Sequence, residues 1–355
     1  MRHGFEETLD KFKDKVWQTV IPYLADADYP DAFKIPIKYS ALVRNQWEII
    51  GEYPKRKGKY IRPVLVILTA QALGVPESQV LQTAAAMQVS EDWLLIHDDF
   101  EDDSEFRRGK PALHKLYGAN LAVNAGDLLH VIMWKILLDN RGIVGDEKCF
   151  QLSNEFYTML TRTSLGQGVE LDLSQGAVFD LSDQDWFFIA DGKTGYYSLA
   201  APMRLGAIIA GASARQLSLL ADFGRLLGRC FQLRDDILDL TSDFRGLKGQ
   251  VQYNDIYEGK RTLILGHLLR TASPSDKRKA VGILSKSRQE KTEEEVRWMV
   301  DKISHYGSLA YSQSLAEQIA GQARKMLESK LNFLHTGPKQ SNLHELISFI
   351  IEREY

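Results

Sequence analysis

Residues 93–102 read Trp-Leu-Leu-Ile-His-Asp-Asp-Phe-Glu-Asp, and this stretch decides the fold. It opens with apolar residues, as expected for a buried helix, and acidic residues with the spacing DDxxD follow. This first aspartate motif consists of Asp98, Asp99 and Asp102. Residues four apart on a helix share a face, with Cβ atoms about 5–6 Å apart. The sequence therefore predicts that Asp98 and Asp102 project together.

A second aspartate motif has the same spacing and consists of Asp235, Asp236 and Asp239, again in a stretch that resembles a buried helix. Carboxylates packed beside apolar surface are costly unless a cation neutralises them. Oxygen ligands without cysteine or histidine favour Mg²⁺, which takes one or two carboxylates per ion together with substrate phosphates. The alternative is a pair of solvated acidic helix ends, and the flanking residues argue against it.

The composition limits the class of protein. The chain has 355 residues, of which 44% are apolar, so it can bury a large core. Its net charge of −3, with acids and bases mixed, gives no electrostatic basis for binding nucleic acid or an anionic membrane surface. Cys149 and Cys230 are interpreted as buried free thiols in a reducing compartment. No apolar stretch reaches about 18 residues and no apolar signal region is found, so we expect a cytoplasmic protein without a membrane span.

Helical periodicity dominates, and strand-like alternation is hard to find. Long helical segments are predicted at about 62–73, 79–98, 119–138, 148–173, 185–210 and 213–240, and Ser182 or Asp183 is expected to cap the fifth. The sequence predicts an all-α fold built as one domain over 1–355 around a helical bundle. The motif-bearing core covers about 57–262, with an N-terminal helix at about 5–25 and C-terminal helices at about 275–355 packing on it.

The residues around both motifs resemble those of the trans-isoprenyl diphosphate synthases. The run LIHDDFEDDSEFRRGKP at 95–111 looks like the first aspartate-rich motif of that family, and FQLRDDILD at 231–239 looks like the second. Further matches, in the family's order, are GKYIRP at 58–63, AGD at 125–127, GQ at 166–167, KTG at 193–195 and DIYEGKRT at 255–262. The matched order spans well over half of the chain.

The resemblance implies a fold and a reaction. The fold is a large bundle of antiparallel helices around a deep central cavity, with the motifs facing each other across its mouth and two subunits forming a homodimer. The reaction ionises an allylic diphosphate, adds the carbocation to isopentenyl diphosphate and removes a proton, giving a short-chain all-trans prenyl diphosphate. It requires charge neutralisation on the departing diphosphate rather than a protein nucleophile. By the same resemblance, three Mg²⁺ ions bridge the allylic diphosphate and are held by Asp98, Asp102 and Asp235, with partial or indirect contributions from Asp99, Asp236 and Asp239.

The resemblance also implies roles for basic and polar residues. Those matching ligands of the allylic diphosphate are Arg107, Lys193 and Lys260, and those matching ligands of isopentenyl diphosphate are Lys59, Arg62 and Arg108. For Lys59 and Arg62 the alternative is plain surface charge or a phosphate site at a helix start. At 193–195 a β-branched residue and a glycine predict a kink in the helix. In the family, a carbonyl and the hydroxyl of Thr194 face the carbocation there, and Gln232 adds an amide oxygen.

Three positions depart from the family pattern. Glu91 stands where His or Gln is common, and an anion placed toward a diphosphate would repel it unless the anion is protonated or turned away. Tyr60 replaces an arginine that often follows the match to Lys59, and Gln250 replaces a lysine ahead of the match to Lys260. The assignment of the isopentenyl diphosphate site therefore rests on fewer matched residues.

Product length is predicted from Trp93 and Leu94, which lie about one helical turn below Asp98. A bulky aromatic at the position of Trp93 resembles the short-chain synthases, where it forms a cavity floor. We expect C20 geranylgeranyl diphosphate, with C15 farnesyl diphosphate as the alternative. In a further alternative, Trp93 is a core aromatic outside the cavity.

Three other functions stay open. A class I terpene cyclase or a head-to-head synthase is disfavoured by the second DDxxD motif and by the pair Lys59 and Arg62. A non-catalytic regulatory subunit of a prenyl synthase would typically have lost aspartates, and all six are present.

Overall fold

Helices form nearly all of the regular structure. The computed structural model describes residues 2–25, 27–176, 178–241, 252–335 and 340–352. The helices are α1 (Arg2–Val20), α2 (Ser40–Ile50), α3 (Glu52–Arg56), α4 (Ile61–Ala72), α5 (Leu81–Glu101), α6 (Leu113–Tyr117), α7 (Ala119–Asp139), α8 (Arg141–Val144), α9 (Asp146–Gln175), α10 (Asp183–Ala190), α11 (Ala201–Ile209), α12 (Ala214–Thr241), α13 (Asn254–Glu258), α14 (Leu263–Thr271), α15 (Pro274–Leu284), α16 (Glu293–His305), α17 (Ser308–Lys330) and α18 (Gln340–Glu352). Gln250, one of the departures from the family pattern, lies outside the described residues.

The core of the bundle is centred on α4, in which every residue from 63 to 72 is buried. This helix packs against α5 and α11, while α5 also packs on α1 and α7, and α11 also packs on α9 and α12. An apolar helix enclosed by neighbours in this way is the arrangement of a helical bundle. The prediction of an all-α fold is confirmed.

The predicted segment 185–210 is divided into three parts. Ser182 caps α10: its hydroxyl accepts the amide of Asp185, whose carboxylate accepts the amide of Ser182 at 2.8 Å. After α10 the backbone adopts π-helical hydrogen bonding over Asp191–Ala200 before α11 begins. There Gly195 approaches α12 so closely that a Cβ on Gly228 would lie 2.1 Å from the Cα of Gly195. The kink predicted at 193–195 is thus a π-helical segment, a feature frequently found at functional sites.

A small hairpin follows the first motif. β1 (Phe106–Arg107) and β2 (Lys110–Pro111) pair antiparallel. The turn residues Arg108 and Gly109 have φ angles of 53° and 77°, the left-handed backbone that two-residue hairpin turns require. The sequence analysis missed this hairpin because strands of two residues show no alternation.

The apolar helix α7 bears on the prediction that no segment spans a membrane. By length and hydropathy alone, Ala119–Val144 is apolar enough to cross one, with 44% of its most apolar window buried inside the protein. It also carries Asp127 and Lys135, and it packs along α5. The stretch Ala119–Val144 comprises α7 and α8, and the face of α7 that packs along α5 is buried in the bundle.

Candidate active site

The middle aspartate of the first motif holds Arg107. Asp99 is fully buried, and its carboxylate accepts a hydrogen bond from the Tyr53 hydroxyl at 2.6 Å. The single N–H of Arg107 Nε is shared between Oδ1 and Oδ2 of Asp99, at N–O distances of 3.0 and 2.9 Å. Arg107 Nη2 also lies 3.4 Å from Asp98 Oδ2. Burial opposes the charge of Arg107, but the carboxylates of Asp99 and Asp98 together hold its pKa above the ordinary value. Asp99 therefore positions the arginine, while Asp98 is shared between Arg107 and Lys193.

Lys193, in the π-helical segment, lies between α9 and the first motif. Its ammonium pairs with Glu170 of α9 and lies 3.4 Å from Asp98 Oδ1. Burial alone would lower the pKa of Lys193, but the charges of Glu170, Asp98 and Asp102 raise it. The lysine is therefore held as a cation at the predicted position for the allylic diphosphate.

Lys260 connects the first motif to the segment after the second. Its ammonium lies 2.7 Å from Glu258 Oε2, and 3.7 Å from both Asp102 Oδ2 and Asp255 Oδ1. As with Lys193, burial opposes the charge, and the surrounding carboxylates raise the pKa of Lys260 well above its ordinary value. A third cation thus stands among the carboxylates at the mouth of the bundle.

Hydrogen bonds hold two aspartates of the second motif, Asp236 and Asp239. Asp239 accepts the backbone amides of Asn254 and Asp255 at 3.0 and 3.2 Å, at the start of α13. Asp236 Oδ1 accepts a hydrogen bond from Gln232 Nε2 at 2.8 Å, whereas Oδ2 is buried without a hydrogen-bond partner among the described residues. Burial raises the pKa of Asp236. Asp235, next to it on α12, is half-buried.

An open cleft of about 510 Å³ lies beside the end of the first motif. Asp102 and Lys260 line it, together with Glu170 and a wall formed by residues 284–289. Lys260, which lies close to Asp102, also influences the second motif, because its charge partly offsets the rise that burial causes in the pKa values of Asp236 and Asp239. Lys260 therefore places one positive charge near Asp102 of the first motif and near the second motif. That the motifs face each other across a cavity mouth stays a prediction from the resemblance.

A polar pair lies deeper, between the π-helical segment and α12. The Thr194 hydroxyl donates to Gln232 Oε1 at 2.7 Å, and Gln232 in turn bonds Asp236. The structure therefore brings together the two residues expected to face the carbocation.

Two of the three residues predicted for isopentenyl diphosphate, Arg62 and Arg108, form a separate cluster with Glu91 and Asp92. Arg108 Nη1 donates to Asp92 Oδ1 at 3.1 Å, and Arg108 Nη2 lies 3.4 Å from Glu91 Oε1. The same oxygen of Glu91 lies 3.1 Å from Arg62 Nη1, and Arg62 also donates to the Ser198 hydroxyl at 2.8 Å. Arg62 and Arg108 therefore converge, and Glu91 is turned toward both of them. Lys59 is exposed on the segment between α3 and α4.

The hairpin explains why adjacent arginines serve different clusters. Arg107 points from β1 to the first motif, whereas Arg108, at the left-handed turn position, points to Asp92 and Glu91. The two adjacent arginines therefore reach different groups of carboxylates.

Trp93 lies on the face of α5 that packs against α7. It is 8% exposed, with its ring centroid 4.7 Å from that of His130, and its indole nitrogen is buried without a hydrogen-bond partner among the described residues. Leu94 beside it is half-buried. A floor at this place would consist of Trp93 together with His130.

The donor set fits a hard divalent cation shared with a ligand. Among the residues that the structure describes, no three Asp, Glu, His or Cys side chains lie close enough to hold a metal ion by themselves. Mg²⁺ does not need such a cage, since it is commonly bound by one or two carboxylates plus substrate phosphates and water. The open cleft is lined by carboxylates that meet that requirement, among them Asp102, Glu170 and Glu258. The buried Oδ2 of Asp236, which has no hydrogen-bond partner among the described residues, is a further oxygen donor on the second motif.

Sequence reasoning missed several residues that complete these clusters. Tyr53 fixes Asp99, Glu170 pairs with Lys193, and Glu258 pairs with Lys260. Glu258 lies inside the matched block 255–262, and Glu170 one turn after the block 166–167. A search for acids near the matched lysines would have found both, whereas Tyr53 carries no local signal.

A comparison with protein families gives one match that covers most of the chain: the polyprenyl synthetase family matches residues 46–303. The short chain isoprenyl diphosphate synthase of Methanothermobacter thermautotrophicus is 31% identical over 84% of this chain and 87% of its own length. The geranylgeranyl diphosphate synthase of Sulfolobus acidocaldarius is 33% identical over 74% of this chain and 77% of its own length.

Solved structures show the same relationship. The geranylgeranyl pyrophosphate synthase of Corynebacterium glutamicum, determined with isoprenyl diphosphate and magnesium, superimposes with a TM-score of 0.80 and 25% identity. The match covers 98% of this chain and 99% of that chain.

Proposed function

The chain belongs to the polyprenyl synthetase family and is a prenyltransferase that makes short-chain prenyl diphosphates, and we propose that its main product is geranylgeranyl diphosphate. In the proposed reaction an allylic diphosphate loses its diphosphate, the resulting carbocation joins isopentenyl diphosphate, and a proton leaves. The C20 product is supported by the relatives named geranylgeranyl diphosphate synthase and by the bulky Trp93 below the first motif.

The observation that carries the proposal is the pairing of each mouth cation with a motif carboxylate. Lys193 and Arg107 lie 3.4 Å from Asp98, and Lys260 lies 3.7 Å from Asp102. A bound diphosphate offers these three cations the same kind of charge-assisted contact. Its arrival would free the carboxylates to coordinate metal ions, so ligand and metal would bind together.

Dependence on a divalent metal is general in this family, and we propose that the ion is Mg²⁺, with about three ions per site. Asp98 and Asp102 on one side of the cleft and Asp235 on the other would hold them, while Asp99, Asp236 and Asp239 support these residues from behind. When bound, the metal stabilises negative charge on the leaving diphosphate. Arg107, Lys193 and Lys260 bind and orient the same diphosphate.

The polar pair below the cleft suits a developing positive charge. The Thr194 oxygen and the Gln232 amide present their dipoles near the place where the carbocation would form, and their mutual hydrogen bond of 2.7 Å fixes them in advance. Dipoles oriented before the reaction stabilise charge without reorganisation during it.

We also propose a homodimer. Large apolar side chains on α7 and α9 point outward, with Val131 62%, Phe150 68%, Tyr157 65% and Leu165 62% exposed. The two helices are neighbours, so these side chains can form one continuous apolar surface of the kind that marks an interface. A cytoplasmic location remains a prediction.

Product analysis tests the proposal. Purified protein is incubated with isopentenyl diphosphate, Mg²⁺ and either dimethylallyl, geranyl or farnesyl diphosphate, and the dephosphorylated products are separated by mass. We expect C20 as the main product and its loss when Mg²⁺ is chelated. A cyclised hydrocarbon, or no elongation with any allylic substrate, would reject the proposed reaction. A C15 end point would reject the proposed product.

A further inference from the structure

Glu91 occupies the place where two arginines of the isopentenyl diphosphate cluster would bind an anion. Its Oε1 lies 3.1 Å from Arg62 and 3.4 Å from Arg108, and its side chain is 11% exposed. Oε2 of Glu91 is buried without a hydrogen-bond partner among the described residues. The carboxylate is therefore held by the two guanidinium groups through Oε1 alone.

The charges in this cluster balance. Arg62 and Arg108 contribute two positive charges, and Glu91 and Asp92 contribute two negative ones. Asp92 is 1% exposed and binds the other nitrogen of Arg108, so it holds that arginine from the buried side. Glu91, in contrast, spans both arginines. A diphosphate entering here meets a neutral cluster rather than two available cations.

The two arginines are fixed independently of Glu91. Arg62 donates to the Ser198 hydroxyl at 2.8 Å and lies over the Tyr197 ring, with 4.8 Å between Cζ and the ring centroid. Arg108 donates to the Tyr53 carbonyl at 3.1 Å and packs so closely against Gly58 that a Cβ there would lie 2.7 Å from its Nη2. Loss of the Glu91 carboxylate would therefore leave both guanidinium groups in place.

We propose that Glu91 is an internal competitor for the second diphosphate. Its carboxylate must give up both arginine contacts before isopentenyl diphosphate binds, so Glu91 sets the affinity for that substrate. This inference rests on the proposed function. It concerns a residue of this chain that replaces the neutral His or Gln common at the matched position.

The test is binding of isopentenyl diphosphate alone, measured by calorimetry without an allylic substrate, so that no condensation occurs. Glu91→Gln keeps the shape of the side chain and removes its charge. In this variant the diphosphate does not have to displace a charged carboxylate from Arg62 and Arg108. We therefore expect the Kd of isopentenyl diphosphate to fall at least about tenfold. In the full reaction KM for isopentenyl diphosphate should fall in parallel, with KM for the allylic substrate unchanged.

Two further variants control the test. Glu52→Gln removes a carboxylate that pairs with Arg56, 3.2 Å away and outside the cluster, and should leave Kd unchanged. Glu91→His, which introduces one of the residues that the family resemblance predicts at this position, serves as the second neutral variant should Glu91→Gln fail to fold. An unchanged or higher Kd in a folded neutral variant would overturn the inference, even when condensation is intact. Absence of condensation in the wild-type protein would instead reject the proposed function.

Discussion

The ammonium of Lys260 lies 3.7 Å from the carboxylate of Asp102, although the two residues are far apart in the sequence. Asp102 ends the first motif, and Lys260 follows the second motif and α13. Their contact places one cation between the end of the first motif and the segment that follows the second motif, beside Glu258 and Asp255. A cation surrounded by carboxylates in this way can exchange one of them for a diphosphate oxygen.

Lys260→Gln should therefore weaken binding of the allylic diphosphate. Loss of one charge-assisted hydrogen bond costs about 1.5–3 kcal/mol, so we expect KM for the allylic substrate to rise about ten- to hundredfold. Lys286→Gln is the matched control, since Lys286 lines the same cleft but pairs with Glu295. Steady-state kinetics at fixed isopentenyl diphosphate would test this. Equal effects of the two substitutions would contradict a specific role for Lys260.

Asp98→Ala or Asp235→Ala should each lower kcat by several orders of magnitude, because stabilisation of the leaving diphosphate is the dominant catalytic contribution. Asp146→Ala removes an exposed acid whose partner is Arg141 and should leave kcat unchanged. The measurement is turnover at saturating substrates over a range of Mg²⁺ concentrations. Near-wild-type turnover of either motif variant would show that the metal assignment is wrong.

Asp92 predicts a pH dependence of stability. Burial raises its pKa to about 6, with the charge of Glu91 adding to the rise and Arg108 opposing it. The folded protein then holds this proton more tightly than the unfolded chain does, so stability falls as the pH rises from about 4 to 7. The full loss is about 3 kcal/mol, from about 1.4 kcal/mol per pKa unit.

The substitution Asp92→Asn should remove that pH dependence. Urea unfolding measures the free energy of unfolding of wild type and variant at pH 5 and at pH 8. Relative to wild type, the variant should gain about 1–2 kcal/mol of stability between pH 5 and pH 8. Asp139→Asn is the control. Burial raises the pKa of Asp139, but hydrogen bonds from Lys135 and Tyr23 lower it by more, so its pKa lies below the ordinary value. If the difference in unfolding free energy between wild type and variant were the same at both pH values, the raised pKa of Asp92 would be wrong.

The sequence predicted the parts of the site that depend on local spacing. The DDxxD spacing predicted that Asp98 and Asp102 project together, and the charges of both act on Lys193. The Thr-Gly pair at 194–195 predicted the break in the helix. Both follow from helical geometry within a few residues. The family resemblance, rather than periodicity, indicated that the two motifs face each other.

Contacts between distant segments could not be predicted in this way. The hydroxyl of Tyr53 reaches Asp99, and Glu91 lies between Arg62 and Arg108, only because α3, α4, α5 and the hairpin pack together. The sequence raised two possibilities for Glu91 beside a diphosphate, protonated or turned away. The structure instead turns it toward the arginines, where opposite charges compensate its burial.

The proposed homodimer predicts the effect of a charge on the apolar surface of α7 and α9. Tyr157→Glu should separate the subunits, because a carboxylate buried in an apolar interface without a partner is strongly unfavourable. Phe33→Glu is the control: Phe33 is 75% exposed but lies on the segment before α2. Light scattering at micromolar concentration should give a mass of two chains for wild type and control, and of one chain for Tyr157→Glu. A wild-type mass of one chain would reject the dimer.

Trp93 should set the length of the product. Its ring packs against His130 about one turn below Asp98, so Trp93→Ala opens space along α5 toward the small residues Ala86, Val89 and Ser90. The growing hydrocarbon can then extend, and we expect the main product to shift from C20 to C25 or longer. Affinity for isopentenyl diphosphate should barely change, since Arg62 and Arg108 belong to a separate cluster.

Trp186→Ala, which truncates another buried tryptophan on α10, should lower stability without lengthening the product. Mass analysis of dephosphorylated products decides the question, and an unchanged distribution in a folded, active Trp93→Ala variant would place the floor of the cavity elsewhere.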